Sequence, residues 1–341
     1  MSDASLKVGL VGFGYWGPNM ARNLHVSTKC HLAGICDSDP DKLKKAARFF
    51  PNVPMYENYD DMLKDKNVEA IVITTPLASH FELASAALKS GRHILVTKPF
   101  TQTSDQAQQL IELAKKRNLT LMLDHTFIYT GAVKKLKSLI DEDELGKIHY
   151  YDSKRINLGL FQQDTNVMWD LAIHDFAILQ YLIKESPVGI CAVSSNHFHG
   201  ANDNMAVITL FYDSGIFAHV NVNWLSPVKI RHTLIGGQKK MVVYNDLESS
   251  EKLKIYNHGV DVSRNLNKDL IFDYRIGDMC SPQLDSMEAI LAEVDHFSDC
   301  VSNNTAPQTT GESGLTLIRW LEAADKSSKN GSVILPLAKQ E

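Results

Sequence analysis

A glycine-rich segment near the start of the chain has the residue types and spacing of a phosphate-binding turn. It matches G-x-G-x-x-G, follows an apolar strand-like run and opens a helical pattern. The first glycine permits a tight turn, the second lets the backbone approach a pyrophosphate, and the third lets helix and strand pack closely. The helix N-terminus also favours an anion. The predicted dinucleotide-binding residues are Gly12, Phe13, Gly14, Tyr15, Trp16 and Gly17.

The acidic residue that such a site requires is Asp37, at the end of a second buried strand pattern and 20 residues after Gly17. A carboxylate there accepts hydrogen bonds from the adenosine ribose and repels a 2′-phosphate. No arginine follows it directly, because the next residues are Ser38 and Asp39. We therefore expect NAD rather than NADP. The alternative for the whole segment is a glycine-rich turn that binds no ligand.

A second candidate contact to the cofactor follows the apolar run that ends near Pro76. Ligands of open α/β sheets lie beyond the carboxyl ends of the strands. We therefore expect Thr75, Pro76 and His80 to contact the cofactor. The alternative is an ordinary strand-to-helix turn that Ser79 caps.

Short apolar strand patterns and helical patterns alternate along the first third of the chain, to about Asp124. This alternation predicts right-handed crossovers and a parallel sheet that helices cover on both faces. After about Thr126 the pattern changes to several strand-like runs with hairpin spacing, followed by two closing helices. The predicted fold class is α/β: a Rossmann domain at residues 1–125, and an α/β domain with an open, mostly antiparallel sheet at residues 126–341. The segment Glu248 to Leu284 is expected to be rich in loops.

Bulk properties narrow the class of protein. The net charge is -5 and the basic residues are scattered, which argues against nucleic-acid binding. The five cysteines include no C-x-x-C pair, so neither a disulfide framework nor a zinc site is expected, and no other set of residues has a convincing metal spacing. No apolar run reaches the roughly 18 residues of a membrane helix, and the start of the chain has no signal-peptide pattern. We expect a cytoplasmic protein that binds no membrane.

Taken together, these motifs resemble the Gfo/Idh/MocA oxidoreductase family over nearly the whole chain. The matching segments are the glycine-rich turn, Thr75-Pro76 with His80, Thr97-Lys98-Pro99 and the run from Trp169 to Asp175. The resemblance implies a Rossmann domain and an open α/β domain whose sheet often mediates dimers or tetramers. It also implies oxidation or reduction of one carbon of a sugar, a cyclitol or a nucleotide-linked sugar.

The resemblance also implies a catalytic set. Lys98 corresponds to the lysine of the family's Glu-Lys-Pro motif, and Asp170 and His174 correspond to its Asp-x-x-x-His motif. An imidazole can exchange a proton with the reacting oxygen, and an ammonium can stabilise negative charge on it. Asp170, four residues before His174 on one helix face, would bind a substrate hydroxyl or tune the histidine. The alternatives are a solvated lysine, a helix cap and an interface histidine.

The sequence departs from the family pattern in two places. Thr97 stands where the family usually has the glutamate that helps to hold the lysine and the nicotinamide ribose; it can form a hydrogen bond but carries no charge. The segment Asp124-His125-Thr126-Phe127 replaces the asparagine–arginine pair of many members, so substrate contacts there do not transfer. We still expect Thr97 and Lys98 to contact the cofactor.

The substrate pocket is predicted from one strand and its surroundings. Arg155 and Asn157 lie one strand period apart and share a face, and Arg155 could bind a phosphate through two nitrogens. The alternative is a surface salt bridge. The predicted substrate-binding residues are Tyr129, Arg155, Asn157, Asn166 and Trp169.

These features favour an NAD-dependent sugar dehydrogenase or ketoreductase that acts on a nucleotide-linked sugar, with C3 as a candidate carbon. Two alternatives stay open. One is a cyclitol or free-sugar dehydrogenase. The other is a cofactor-binding regulatory protein without catalysis, which Thr97 favours and the presence of Lys98, Asp170 and His174 opposes.

Overall fold

The computed structural model describes residues 5–265 and 268–338. The chain divides into two compact units. The first comprises the described part of Met1–Tyr129 together with Met287–Arg319. The second comprises the described parts of Thr130–Ser286 and Trp320–Glu341.

The first unit contains a six-stranded parallel sheet with the order β3-β2-β1-β4-β5-β6. Its inner strands are buried on both faces because helices cover them, as their apolar sequences predict. The direction of winding reverses between β1 and β4, which is where open α/β sheets bind ligands. The strands are β1 (Leu6–Val11), β2 (Cys30–Cys36), β3 (Met55–Tyr56), β4 (Ala70–Ile73), β5 (His93–Thr97) and β6 (Leu121–Asp124).

Local sequence determines several helix ends in this unit. Asp39 caps the helix that begins at Pro40 by accepting a hydrogen bond from the Asp41 N–H group, and Thr103 caps a later helix in the same way. Gly91, just past another helix, has a φ of +80° that favours glycine. The helices are α1 (Gly17–Val26), α2 (Pro40–Phe49), α3 (Tyr59–Lys64), α4 (His80–Lys89) and α5 (Ser104–Arg117).

The second unit contains a nine-stranded sheet with the order β14-β13-β12-β11-β7-β10-β9-β8-β15. Neighbouring strands are antiparallel except for β7 and β10, which confirms the predicted mostly antiparallel sheet. Its strands are β7 (Ile148–Leu158), β8 (Gly189–Ser195), β9 (Met205–Phe211), β10 (Phe217–Asn223), β11 (Leu225–Gly237), β12 (Met241–Asn245), β13 (Leu253–Arg264), β14 (Leu270–Cys280) and β15 (Leu335–Pro336).

The expectation of loops from Glu248 to Leu284 was wrong. Strands β13 and β14 form a long antiparallel hairpin there, paired from Ile255 with Cys280 to Arg264 with Leu270. Most side chains of its outer part are exposed on both faces. Apolar and polar residues do alternate here, as in Val260-Asp261-Val262 and Phe272-Asp273-Tyr274, so the strand pattern was present in the sequence and was overlooked.

Two helices of the second unit are α6 (Gly131–Asp141) and α7 (Ile173–Leu182), and the segment Met168–Ala172 before α7 is a single π-helical turn. The sequence pattern from about Trp169 to Leu182 predicts one continuous helix, whereas the structure begins it with this π-turn. A π-turn contains an extra residue per turn and often marks a functional position.

The chain ends with α8 (Ala289–Asn303) and α9 (Gly311–Lys329). Both helices were expected in the second domain, but α8 and the first part of α9 belong to the first unit. Helix α8 packs on α1, β1 and β2, and the Thr309 hydroxyl donates to the Leu123 carbonyl at 2.6 Å. A helical pattern shows which face of a helix is buried but not what covers it. The sequence therefore could not reveal that α8 and the first part of α9 pack in the first unit.

Among the helices of the described residues, none combines the length and apolar content that crossing a bilayer requires.

Candidate active site

The three glycines of the turn between β1 and α1 are needed for different physical reasons. Gly12 has a φ of +95°, and a Cβ on Gly17 would lie 2.4 Å from the Gly12 carbonyl oxygen. The fold itself therefore requires both glycines. A Cβ on Gly14 would have no described protein atom within 4 Å. The space beside Gly14 is open, as the approach of a pyrophosphate to the backbone requires.

The start of α1 is also suited to a phosphate. Trp16, which precedes the helix, makes no side-chain cap, and Pro18 occupies its first turn. The first N–H groups of a helix have no partner within the helix, and they favour an anion. Together with the open space at Gly14, this arrangement fits the pyrophosphate of a dinucleotide.

Asp37 lies directly after β2 and is 8% exposed. Its Oδ2 atom accepts a hydrogen bond from the Phe13 N–H group at 2.7 Å, and its Oδ1 atom accepts one from the Asp39 N–H group at 2.9 Å. Phe13 thus contributes its backbone to the site, while its ring is buried against Phe50. The Lys42 ammonium also lies 3.7 Å from Oδ1, and the second lone pair of Oδ2 can receive a ribose hydroxyl.

The turn after β4 contacts the glycine-rich turn through Thr74, whose hydroxyl donates to the Gly12 carbonyl at 2.6 Å. The predicted contacts Thr75 and Pro76 are half-buried and exposed, respectively. Ser79 does not cap α4 through its side chain; its hydroxyl lies 2.8 Å from the Pro76 carbonyl. The predicted alternative of a Ser79 cap is therefore corrected.

His80 requires a correction as well. Its imidazole is 1% exposed, with Nδ1 at 2.9 Å from the Pro99 carbonyl oxygen and Nε2 at 2.8 Å from the Thr75 carbonyl oxygen. Both ring nitrogens therefore face protein oxygens. His80 ties the turn after β4 to the turn after β5 and does not present a free nitrogen to a ligand.

Thr97 ends β5 and is buried, and its hydroxyl donates to the Ile73 carbonyl at 3.0 Å. This hydrogen bond holds β5 to β4. Lys98 follows with a half-buried side chain. Near it lies His125, whose pKa is lowered to about 4, mainly by burial and to a smaller extent by the Lys98 ammonium. His125 is therefore neutral at neutral pH.

In the second unit, Asp170 lies in the π-turn and His174 in the first turn of α7, both with half-buried side chains. The indole Nε1 of Trp224 donates to Asp170 Oδ2 at 3.1 Å. Trp224 is 1% exposed, between β10 and β11. A rigid buried donor therefore fixes the Asp170 carboxylate; sequence reasoning missed it, because nothing links Trp224 to Asp170 in the chain.

Two predicted substrate residues hold the start of this helical segment. The Asn166 Oδ1 atom accepts hydrogen bonds from the N–H groups of Met168 and Trp169 at 3.0 and 3.2 Å. The Asn166 amide and the Trp169 indole each donate to one oxygen of Asp325, both at 2.8 Å. Asp325, on α9, was not predicted because it lies far away in sequence.

Arg155 is buried and paired with a buried carboxylate. It therefore forms neither the predicted phosphate site nor the alternative, a surface salt bridge. Its Nε atom donates to Asp175 Oδ2 at 2.7 Å, and its Nη2 atom lies 3.3 Å from Oδ1. Asn157, one strand period further, is half-buried. Tyr129 belongs to the first unit, where its ring is 3% exposed and packs against His296. The burial raises the pKa of Tyr129.

The three predicted catalytic residues are thus distributed: Lys98 lies in the first unit, and Asp170 and His174 lie one turn apart in the second. Over residues 5–265 and 268–338, no group of three or more His, Cys, Asp or Glu side chains could hold a metal ion.

Comparison with known proteins assigns the family. A model of an oxidoreductase family with an NAD-binding Rossmann fold matches residues 6–125, and a model of the C-terminal α/β domain of the same oxidoreductase family matches residues 137–336.

The curated relatives include UDP-N-acetylglucosamine 3-dehydrogenase of Acidithiobacillus ferrooxidans, 28% identical over 262 residues, which are 74% of this chain and 78% of that protein. They also include scyllo-inositol 2-dehydrogenase (NAD(+)) of Bacillus subtilis, 24% identical over 344 residues and 96% of each chain. Two further relatives, 38% and 37% identical, are matched over only 43% and 32% of their own length.

Among solved structures, an oxidoreductase from Agrobacterium radiobacter in complex with NAD+, L-tartaric acid and magnesium superimposes with a TM-score of 0.81. It is 20% identical and covers 98% of both chains, which shows a shared fold. Because the two family models span most of the chain, and because the open, uncapped turn fits a pyrophosphate, this protein belongs to the Gfo/Idh/MocA family of NAD-binding oxidoreductases.

Proposed function

We propose that this protein transfers a hydride between NAD and a carbinol carbon of a sugar, that the sugar is nucleotide-linked, and that C3 is the reacting carbon. One observation carries the proposal: Asp170 and His174 lie one turn apart on a distorted helix start, partly exposed, with Asp170 fixed by Trp224. A carboxylate and an imidazole in this arrangement can bind a polyol and exchange its proton. The name of the Acidithiobacillus relative supports the choice of substrate.

Oxidation of a carbinol removes a hydride from the carbon and a proton from its oxygen, and leaves a carbonyl. A nicotinamide supplies the hydride acceptor or donor. We assign the proton to His174, which takes it from the hydroxyl during oxidation and returns it during reduction. Asp170 binds a neighbouring hydroxyl or orients the imidazole. Lys98 stabilises the negative charge that develops on the reacting oxygen.

The first test is substitution of the assigned residues. Because general acid–base catalysis contributes about 10²- to 10⁴-fold, His174→Ala should lower kcat by at least about 100-fold, with unchanged NAD affinity. Lys98→Ala should lower it comparably. His149→Ala, at an exposed position of β7, is the matched control and should keep the wild-type rate. Wild-type rates for both Lys98→Ala and His174→Ala on the true substrate would refute the assigned roles.

The second test concerns the substrate class. Nucleotide sugars, free hexoses and inositols are supplied with NAD or NADP, and the absorbance of the reduced cofactor is followed. The proposal predicts turnover of a nucleotide sugar and loss of activity when the diphosphate is removed. Turnover of inositols or free sugars alone would favour the cyclitol or free-sugar alternative. NAD binding without any turnover would favour a regulatory protein.

The third test concerns the nicotinamide cofactor. Asp37 is held by the Phe13 and Asp39 N–H groups with the second lone pair of Oδ2 available to a ribose. We expect Asp37→Ala to weaken NAD binding and to relax discrimination against NADP, measured as the ratio of the two dissociation constants. An unaltered ratio would remove Asp37 from the adenosine site.

The proposal includes assembly into dimers or tetramers through the C-terminal sheet. Large apolar side chains exposed side by side on the β13–β14 hairpin support this, because a contiguous exposed apolar patch usually marks an interaction surface. Light scattering at several protein concentrations would measure the assembly. We also propose a cytoplasmic location, with which the five free cysteines are compatible. The large apolar residues exposed on the strands of this sheet include Val193, Met205, Phe217, Val228, Val260, Val262, Leu270, Ile271, Phe272, Tyr274, Ile276 and Met279.

A further inference from the structure

A buried carboxylate at the end of β6 contacts the glycine-rich turn. Asp124 is 3% exposed, and its Oδ2 atom accepts a hydrogen bond from the Trp16 indole Nε1 at 2.8 Å. Its Oδ1 atom accepts hydrogen bonds from the Thr126 N–H group at 3.1 Å and from the Thr126 hydroxyl at 2.6 Å. Three donors thus converge on one carboxylate and fix its orientation.

Helix α8 places a second carboxyl group beside Asp124. Glu293 is fully buried, and its carboxyl group lies within hydrogen-bonding reach of the Asp124 carboxylate and of Thr126. Burial, and next the Asp124 carboxylate, raise the pKa of Glu293 well above its ordinary value. Two adjacent buried carboxyl groups repel each other when both are ionised, which disfavours the charged form of Glu293.

The two halves of the glycine-rich turn are held differently. In the first half, the Gly12 N–H group donates to the Cys36 carbonyl at 2.8 Å, and the Phe13 N–H group donates to Asp37. In the second half, Tyr15 is 87% exposed and the space beside Gly14 is open. Trp16, the residue from which α1 begins, is held by Asp124.

We propose that Asp124 is a positioning residue for NAD binding: by fixing the Trp16 indole, it holds the second half of the glycine-rich turn in the shape that receives the pyrophosphate. A turn that is already ordered loses less conformational entropy when the ligand binds, so its affinity is higher. The proposal depends on NAD binding and not on the identity of the sugar. Failure of the proposed sugar oxidation would therefore leave this proposal on NAD binding unaffected.

The test measures dissociation constants by calorimetry on the full chain. Asp124→Asn offers one acceptor oxygen where donors approach from both sides, so it cannot satisfy Trp16 and Thr126 together. Loss of one charge-assisted hydrogen bond corresponds to about a tenfold weaker affinity, and we expect this for Asp124→Asn and for Trp16→Phe. The double variant should be no weaker than either single variant, because both remove the same bond.

Three ligands separate positioning from a general loss of structure. ADP-ribose contains the pyrophosphate and should lose as much affinity as NAD, whereas adenosine lacks it and should bind unchanged. Asp105→Asn, at an exposed position of α5, is the matched control and should leave all three affinities unaltered. Equal losses for adenosine, additive effects in the double variant, or NAD affinity within twofold of wild type in both single variants would each overturn the proposal.

If Asp124→Asn fails to fold, Trp16→Phe alone decides, since it keeps an aromatic ring while removing the donor. Glu293→Gln provides an independent check. It replaces the carboxyl group by an amide of similar shape, leaves the hydrogen bond between Asp124 and Trp16 in place, and should bind NAD and ADP-ribose with wild-type affinity. A loss in Glu293→Gln as large as that in Asp124→Asn would show that packing of this cluster, and not the Trp16 bond, determines affinity.

Discussion

The glycine-rich turn of the first unit and the Asp170–His174 segment of the second unit are positioned by different means. The turn is shaped mainly by backbone geometry and by groups at the ends of adjacent strands, with Gly17 and Asp37 as the clearest examples. The helical segment depends on side chains from distant parts of the chain, such as Trp224 and Asp325. A site like the glycine-rich turn can be recognised from a contiguous sequence motif. A site like the Asp170–His174 segment can be recognised only when the structure shows which distant side chains contact it.

The largest effect is expected at Arg155 and Asp175, a buried pair in the second unit, where a side chain depends on a distant partner. Arg155→Met leaves a buried carboxylate unpaired and should lower the free energy of unfolding by about 3–5 kcal/mol, measured by denaturant titration. Lys44→Met, in a pair with Asp41 that is largely exposed, is the control and should cost less than about 1 kcal/mol. Adding Asp175→Leu to Arg155→Met should recover part of the loss; equal small losses in both single variants would contradict the burial argument.

The first unit should show a dependence on acid that arises from His125. The pKa of His125 falls from 6.5 to about 4 in the folded protein. Between these pH values the unfolded chain therefore binds a proton at His125 that the folded chain does not bind. Stability from this group is therefore complete above pH 6.5 and is lost as pH falls towards 4, by about 3 kcal/mol. Denaturant titrations of wild type and His125→Gln between pH 7 and pH 4 measure it. A constant difference between the two proteins would disprove it.

Gly14 and Gly17 of the glycine-rich turn should respond differently to substitution by alanine. Gly14→Ala meets open space and should leave the melting temperature unchanged, while NAD affinity falls about tenfold. Gly17→Ala pushes a Cβ against the Gly12 carbonyl oxygen and should lower both stability and NAD affinity. Calorimetry and thermal unfolding distinguish the two. Equal destabilisation by both substitutions would show that Gly14 serves the fold and not the ligand.

The smallest effect is expected at Asp325, which receives the Asn166 amide and the Trp169 indole. Asp325→Asn provides one acceptor oxygen for two donors and should cost about 1 kcal/mol of unfolding free energy. Because it loosens the start of the segment that carries Asp170, kcat should fall while NAD affinity stays constant. A change in NAD affinity without a change in kcat would separate Asp325 from this segment.

Sequence reasoning succeeded where the chemistry lies within a short stretch. The parallel sheet and the glycine-rich turn both follow from local patterns. It failed for His80, whose type suggested a ligand contact, because nothing local shows that both ring nitrogens face carbonyl oxygens. It failed for Arg155 for the same reason: a charged residue on a strand gives no indication of a buried partner 20 residues away.

What the sequence alone determined is the nature of the first unit: a glycine pattern after a buried strand, followed by a helix and a carboxylate, leaves few folds and ligands that satisfy it. Tertiary structure alone decided which polar groups are available. It paired Asp124 with Trp16, Asp175 with Arg155 and Asp325 with Trp169. Burial makes a polar group costly unless a partner is brought to it, and that partner is chosen by packing in three dimensions and not by distance along the chain.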